Sequence, residues 1–354
     1  MLKTSVSPSV SNTPLTGQDV YTKINRRRHL TIIVALISLG IGILFDLATG
    51  PAWLTISEVI SALREGINGE SINQSIVWSI RLPMTITCIC VGAGLGLAGT
   101  QMQTVLSNHL ASPYTLGISS AAGFGAAIAY LTGFPIPNKA WLSVPLSAFI
   151  MSFAAAISLY LLGKAKGMQA KTMVLFGIVI NFFFQALKSL VQFRASPEVS
   201  QQIVFWMFGS LLKSSWTGVI VSSSVFILCA IILSSYAWQL TALSAGEERA
   251  KSLGIKTDQL RLKVFVIGSL LTAGAVAFVG TIGFIGLLAP HCSRILVGED
   301  QRYMSPLSAL FGVLLMICAS IISKIVIPGA IVPIGIVTSI IGVPFLLYLI
   351  LKRS

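Results

Sequence analysis

The segment Ser244-Ala-Gly-Glu-Glu-Arg-Ala-Lys-Ser-Leu-Gly-Ile-Lys-Thr-Asp258 is polar in a chain that is otherwise largely apolar. An apolar hairpin follows it. The second arm of that hairpin reads Gly280-Thr-Ile-Gly-Phe-Ile-Gly-Leu-Leu-Ala-Pro-His-Cys-Ser-Arg294. Glu247, Glu248, Arg249 and Lys251 fall within one or two helical turns, and Gly254 ends that short helix. A short polar helix between long apolar segments lies outside the bilayer, and it marks a surface where a soluble partner docks. The arrangement predicts a membrane pore driven by a different chain.

Of the 354 residues, 55% are hydrophobic and only 10% are charged, against about 25% charged in soluble domains. Lipid must therefore be the solvent for much of the chain. Apolar runs near the length of about 20 residues that a bilayer requires occur at 30–47, 82–103, 113–132, 141–162, 172–193, 215–238, 263–279, 280–297, 305–323 and 333–350. This predicts an all-α polytopic protein of about ten transmembrane helices. Segment 201–213 is too short to span and reads as an interfacial or re-entrant helix. Residues 1–28 read as a disordered cytosolic tail, and residues 29–354 as one transmembrane domain.

With the N-terminus in the cytosol, seventeen Lys and Arg residues fall on the cytosolic side and seven opposite, as the positive-inside rule demands. Both termini are then cytosolic. The net charge of +13 follows from topology and calls for no nucleic-acid partner. The acids, Asp46 among them, are expected in tails, in loops or at span ends. That pattern disfavours an ion-coupled transporter, which keeps buried acids for its coupling ion. No phosphate-binding Gly-x-x-x-x-Gly-Lys-Ser/Thr loop occurs. Neither a metal set nor a clustered nucleophile or acid pair points to an enzyme, so neither catalytic nor metal-ligating residues are assigned. The five cysteines lie in or beside apolar spans and read as packing residues. Gly92, Gly96 and Gly99 allow close helix approach, and Gly280, Gly283 and Gly286 thin or break their helix.

Four motifs in order resemble the permeases of iron-siderophore, cobalamin and haem importers of the ATP-binding-cassette class, the FecCD-type family. They are Arg81-Leu-Pro83; Gly99-Thr-Gln-Met-Gln103 with Ser107-Asn-His-Leu-Ala-Ser-Pro113; the opening stretch through Arg294; and Val332-Pro-Ile-Gly-Ile-Val-Thr338 with Ile341-Gly-Val-Pro-Phe345. The resemblance covers about residues 30–354. It implies a dimer of permeases in the bacterial inner membrane, each built from inverted repeats of spans two to five and seven to ten. Two cytosolic ATPases holding ATP and Mg would sit below, and a periplasmic or lipid-anchored binding protein above. The implied cargo is an iron chelate, ferric siderophore first, with haem or cobalamin as alternatives.

By the same resemblance, Ser244, Gly246, Glu247, Glu248, Arg249, Ala250, Leu253 and Gly254 would couple to the ATPase. Arg81 and Lys324 would dock the binding protein. Asn108, Pro113, Gly283, Gly286, Pro290, His291, Arg294, Pro333 and Gly335 would shape the pathway or its supports. The chain departs from the family at Met84, His109, Ser320 and Ile331, where members often carry Arg, Pro, Asp and an acid respectively. The outer rim is therefore expected to be less charged than usual, so docking would rely more on apolar contacts or on a second, more charged permease in a heterodimer.

Overall fold

The computed structural model describes residues 17–133, 136, 140–166 and 170–352. Helices account for the architecture: α1 (Gly17–Ala48), α2 (Ile56–Glu65), α3 (Ile72–Ser75), a π-turn (Ile76–Arg81), α4 (Leu82–Val105), α5 (Ile118–Thr132), α6 (Ser143–Ala165), α7 (Ala170–Arg194) and α8 (Pro197–Met207). They continue with α9 (Trp216–Ser235), α10 (Ala237–Ser244), α11 (Glu247–Ser252), α12 (Thr257–Val279), α13 (Ile285–Val297), α14 (Gln301–Ile325) and α15 (Ile334–Lys352). Seven helical segments are long and apolar enough to cross a membrane. The three shorter apolar helices α5, α13 and α15 complete the ten expected spans.

The chemistry at the helix ends explains several boundaries. Pro83 has no N–H to return to the carbonyl four residues back. The preceding turn widens, and the Leu82 N–H donates to Val77 O five residues back, as in a π-turn. Outside the spans, α2 opens with a capping box: the Thr55 hydroxyl accepts from Glu58 N, and Glu58 Oε2 accepts from Thr55 N at 2.7 Å. The break between α12 and α13 centres on Gly280 (φ +81°) and Phe284 (φ +66°).

Two expectations are corrected. Residues 17–28 of the expected tail are helical, since α1 begins at Gly17; residues 1–16 lie outside the described residues. The cause is local. Arg28 pairs with Asp300 at 3.3 Å, donates to Val297 O at 3.1 Å and lies over the Tyr303 ring at 4.9 Å, so the helix is held below the membrane. The short helix expected at 201–213 runs instead from Pro197 to Met207. It is started by Ser196, whose hydroxyl caps Val199 N, and by Pro197 in its first turn.

Helices α4 and α12 form the centre, with 83% and 67% of their apolar windows buried against 17% for α1 and α7. α4 packs on α12, α13 and α14, while α12 packs on α4, α5 and α6. α5 lies on α6 as α13 lies on α14. Exchanging α4–α7 for α12–α15 leaves this pattern unchanged, as expected of an inverted repeat. Glycine makes the central crossings possible. A Cβ on Gly92 would stand 2.6 Å from Gly312 O, one on Gly96 2.3 Å from Ser308 O, and one on Gly99 1.9 Å from Gly286 O.

Candidate functional site

Helix α11 is a six-residue cytosolic helix set between two glycine turns. Gly246 (φ +123°) admits it, and Gly254 (φ +79°) ends it. The ending is a Schellman motif: Gly254 N donates to Lys251 O at 2.9 Å, and Ile255 N to Ala250 O at 3.1 Å. Ala250 is fully buried and anchors one face to the core. Glu248, Arg249, Lys251, Ser252 and Leu253 are exposed on the other. Leu253 is an exposed apolar side chain among polar neighbours.

Glu247 faces inward. Its carboxylate meets Lys251 Nζ at 2.7 Å and Arg261 Nη2 at 2.8 Å. Arg261 is buried and also donates from Nε to Val105 O at 3.0 Å, the last residue of α4. Helix α11 is therefore tied through Glu247 and Arg261 to the end of the central helix. Hydrogen bonds from Lys251 and then Arg261 hold the Glu247 carboxyl below its ordinary 4.5. A lowered folded-state value means the contact stabilises above pH 4.5 and is lost as pH falls through the folded value. Acidification below pH 4.5 should thus lower the protection factors of the 250–256 amides, taken against the intrinsic exchange rate at each pH, before those of α12.

A polar layer continues inward from this helix. Ser244 donates to Thr241 O at 2.8 Å and reaches Glu299 O at 3.4 Å. Thr241 Oγ1 accepts from Gln301 N at 2.9 Å, and Gln301 Nε2 donates to Thr104 Oγ1 at 3.0 Å. Arg294 bridges Gln103 Oε1 at 3.0 Å and Glu299 at 3.4 Å. These groups line a cavity of about 140 Å³ with Ser107 and His109. One network thus joins α4, α10, α13 and α14 at the cytosolic end. Pro290 is buried within α13, and His291 packs edge-on to Phe345 of α15, with ring centroids 6.4 Å apart.

At the opposite end, the unwound 280–284 segment meets the end of α8 and the start of α15. Ser210 N donates to Val279 O at 2.7 Å, Thr281 Oγ1 donates to Met207 O, and Gly335 N donates to Phe208 O at 3.0 Å. A Cβ on Gly335 would lie 2.3 Å from Phe208 O. Phe284 lies against Gly342 of α15, where a Cβ would come within 2.3 Å of the ring. Gly283 has open space around it, and its carbonyl accepts from Ile285 N at 2.8 Å. Pro333 sits half-buried in the turn that leads into α15, accepting at its carbonyl from Ile336 N. Pro113 is buried near Gly286, and Asn108 Oδ1 accepts from Leu110 N in the cytosolic turn after α4. Gly342→Val should therefore displace Phe284 and slow transport severalfold while leaving α11 in place, as read by transport rate against ATPase retention.

Arg81 and Lys324 are not presented on a docking rim. Arg81 is buried, and its guanidinium donates to the carbonyls of Leu47, Ala48 and Ala52. Lys324 is buried and reaches Asp46 Oδ1 at 2.7 Å and Asp46 O at 2.9 Å. Asp46 is fully buried, which corrects the expectation of a chain without buried acids. Thr85 and Ser320 donate to its two oxygens at 2.5 and 2.6 Å. The carboxylate is thus engaged by three side chains of the protein, and the ion pair with the Thr85 hydrogen bond holds α1, α4 and α14 together.

Arg261 and Asp46 are the residues that sequence reasoning missed. Both could have been found by treating a charge at a span end as buried until paired. Glu247, read as an interface residue, also pairs with the buried Arg261 within the chain.

A model of the FecCD transport family matches residues 36–352. The chain is 37% identical over 342 residues to the ABC transporter permease protein MJ0087 of Methanocaldococcus jannaschii, covering 94% of this chain and 96% of that one. It is 33% identical over 325 residues to the molybdate import system permease protein MolB of Haemophilus influenzae, covering 91% and 93%. A solved structure described as an inward-facing metal-chelate type ABC transporter matches with a TM-score of 0.79 at 30% identity, covering 90% of this chain and 98% of that chain. With ten apolar helices, a short cytosolic helix braced on the central one, and homology along nearly its whole length, the chain belongs to the FecCD transport family and is a multi-pass ABC-importer permease of the inner (plasma) membrane.

Proposed function

We propose that this permease carries an iron chelate, ferric siderophore foremost, inward through the axis of a permease dimer. Separate cytosolic ATPases would bind ATP and Mg and dock on residues 244–254. A periplasmic or lipid-anchored binding protein would deliver the cargo from above. The observation that carries the reading is the built form of α11: an exposed Glu248, Arg249 and Leu253 on a base braced by Ala250 and by Glu247–Arg261. A partner that pushes on that surface moves the end of α4 directly, because Arg261 holds Val105 O.

The apolar faces of α7 and α15 support a second permease chain. Phe182, Phe183, Phe193, Ile340, Val343 and Leu347 are all exposed on them. A wall of α7 would then line the pathway. Lys188, Arg194 and Lys213 lie toward the outer half of α7 and around α8, with Glu198 as the acid among them. That balance favours an anionic cargo, since a cleft of one sign concentrates the opposite one. Similar permeases are named for Fe(3+)-citrate, hemin and cobalamin, and a chelated metal is common to these names.

The test is uptake by proteoliposomes that hold the permease with its co-purifying ATPase and binding protein. ATP-dependent entry of radiolabelled ferric siderophore, uncompeted by hemin, cobalamin or molybdate, is the expected result. Entry of one of the competitors alone would replace the cargo. Entry without ATP would overturn the reading. Glu248→Lys with Arg249→Glu should weaken ATPase retention by about tenfold and leave the permease folded, because neither side chain is buried. If one permease species alone gives full activity, a homodimer replaces the expected heterodimer.

A further inference from the structure

Away from the pathway, a groove of about 670 Å³ opens between α1 and α9. Residues 89–101 of α4 form its floor, 301–313 of α14 one wall, 226–234 of α9 the other, and Leu39 of α1 closes one side. Its volume is in the range of about 300–1,000 Å³ typical of ligand sites. The floor runs twelve residues along α4, about 18 Å at 1.5 Å per residue. One leaflet of hydrocarbon is about 15 Å, half of a ~30 Å core.

The groove is also polarised along that length. Its midplane end is Ile89, Phe226 and Val313, and its cytosolic end is Gln101, Ser234, Gln301, Arg302 and Ser305. The rims face lipid, with Leu36, Ile37, Ile227, Leu228 and Ile231 all exposed. At the cytosolic mouth the guanidiniums of Arg28 and Arg302 share one carboxylate, Asp300, at 3.3 and 2.8 Å. That leaves the mouth net positive, and Arg26 and Arg27 add to it from α1. A separate observation lies inside. Gln101 is 1% exposed and donates from Nε2 to Ser305 Oγ at 2.8 Å, yet its Oε1 has no hydrogen-bond partner. A buried carbonyl oxygen left unsatisfied costs free energy and points to a donor supplied from outside the chain.

We propose that this groove is a binding site for one phospholipid of the cytosolic leaflet. An acyl chain would lie along α4, the phosphate at the Arg302 mouth, and a headgroup hydroxyl or ammonium at Gln101 Oε1. The length, the polarity and the sign of charge each match that molecule. A protein helix would bring no phosphate to the mouth. The bound lipid fills the space behind α4, the helix that α11 moves. This inference does not depend on the cargo.

The experiment places the permease in nanodiscs of phosphatidylethanolamine and phosphatidylglycerol, releases it into detergent and weighs it by native mass spectrometry. One phospholipid retained per wild-type chain is expected. Ala230→Phe and Ala309→Phe, which fill the groove from opposite walls, should each lower retention by about tenfold. Gln101→Leu should lower it severalfold without closing the groove. A phospholipid with a photoreactive acyl chain should label peptides from 89–101 and 301–313 in the unmodified protein, which requires no variant to fold. Equal retention in wild type and both filled variants, labelling elsewhere, or a retained molecule that is not a phospholipid would each overturn the proposal, as would a groove that holds water alone.

Discussion

Lys324→Met should lower the stability of the permease by about 3–5 kcal/mol, the usual cost of leaving one member of a buried ion pair without its partner. Both side chains are almost entirely withdrawn from solvent, at 2% and 0% exposure. After the exchange, Asp46 keeps only the hydroxyls of Thr85 and Ser320. These cannot balance a full charge at the end of α1. Adding Asp46→Asn in the same chain should recover most of the loss, because it removes the buried charge, and the amide oxygen can accept from one hydroxyl while its NH2 donates to the other. The measurement is the midpoint of thermal unfolding in detergent for the wild type, both single variants and the double. A double variant no more stable than the sum of the single losses would show that the two groups act independently, and the assignment of the pair as a clamp between α1 and α14 would be withdrawn.

Gly99→Ala should abolish the native packing of α4 on α13. The added methyl would lie 1.9 Å from Gly286 O, with Gly286 C and Cα also inside 3 Å. Those are backbone atoms, so no side-chain rotation relieves the overlap and the two helices must part. Overpacking of a core costs about 1–3 kcal/mol even where side chains can yield, and this site offers less room. Gly312→Ala, 2.1 Å from Gly92 O, should behave alike on the α14 side. Gly283→Ala is the control: it meets nothing within 4 Å and should stay within about 0.5 kcal/mol of wild type. Monodispersity on size exclusion and the yield of folded protein distinguish the cases. Equal yields of the Gly99 and Gly283 variants would mean that the close crossing is not what holds the centre together.

These two results bear on different layers of legibility. Gly92, Gly96 and Gly99 were readable as a close-approach face, because spacing of three and four places them on one side of a helix. Their partners were not readable. Gly312, Ser308 and Gly286 come from two other helices that are distant in sequence. The short polar helix α11 was legible for a similar reason: four charges and a terminating glycine stand out against lipid-soluble neighbours. The inward turn of Glu247 was not, since nothing in Glu247-Glu248 says which carboxylate meets Arg261.

The charged residues at the span ends show the boundary most clearly. Arg81 and Lys324 carry the same formal charge whether they meet a partner, snorkel to a headgroup or pair inside. Only the packing of α1 beside α4 and α14 selects the last, by bringing the carbonyls of Leu47 and Ala48 to Arg81 and the Asp46 carboxylate to Lys324.

Local chemistry along the chain was sufficient for the all-helical class, the ten spans, the orientation in the bilayer and the place of the short polar helix α11. Each depends on how many consecutive side chains prefer lipid, where lysine and arginine collect, and which residues cap or end a helix. The tertiary structure alone established that the Asp46–Lys324 pair is buried, that Glu247 and Arg261 link helix α11 to α4, that the α8, 280–284 and α15 segments meet, and that a groove lies between α1 and α9. These depend on distances between residues tens to hundreds of positions apart. Such distances arise only when the desolvation of each charge and the close approach of each helix are satisfied together.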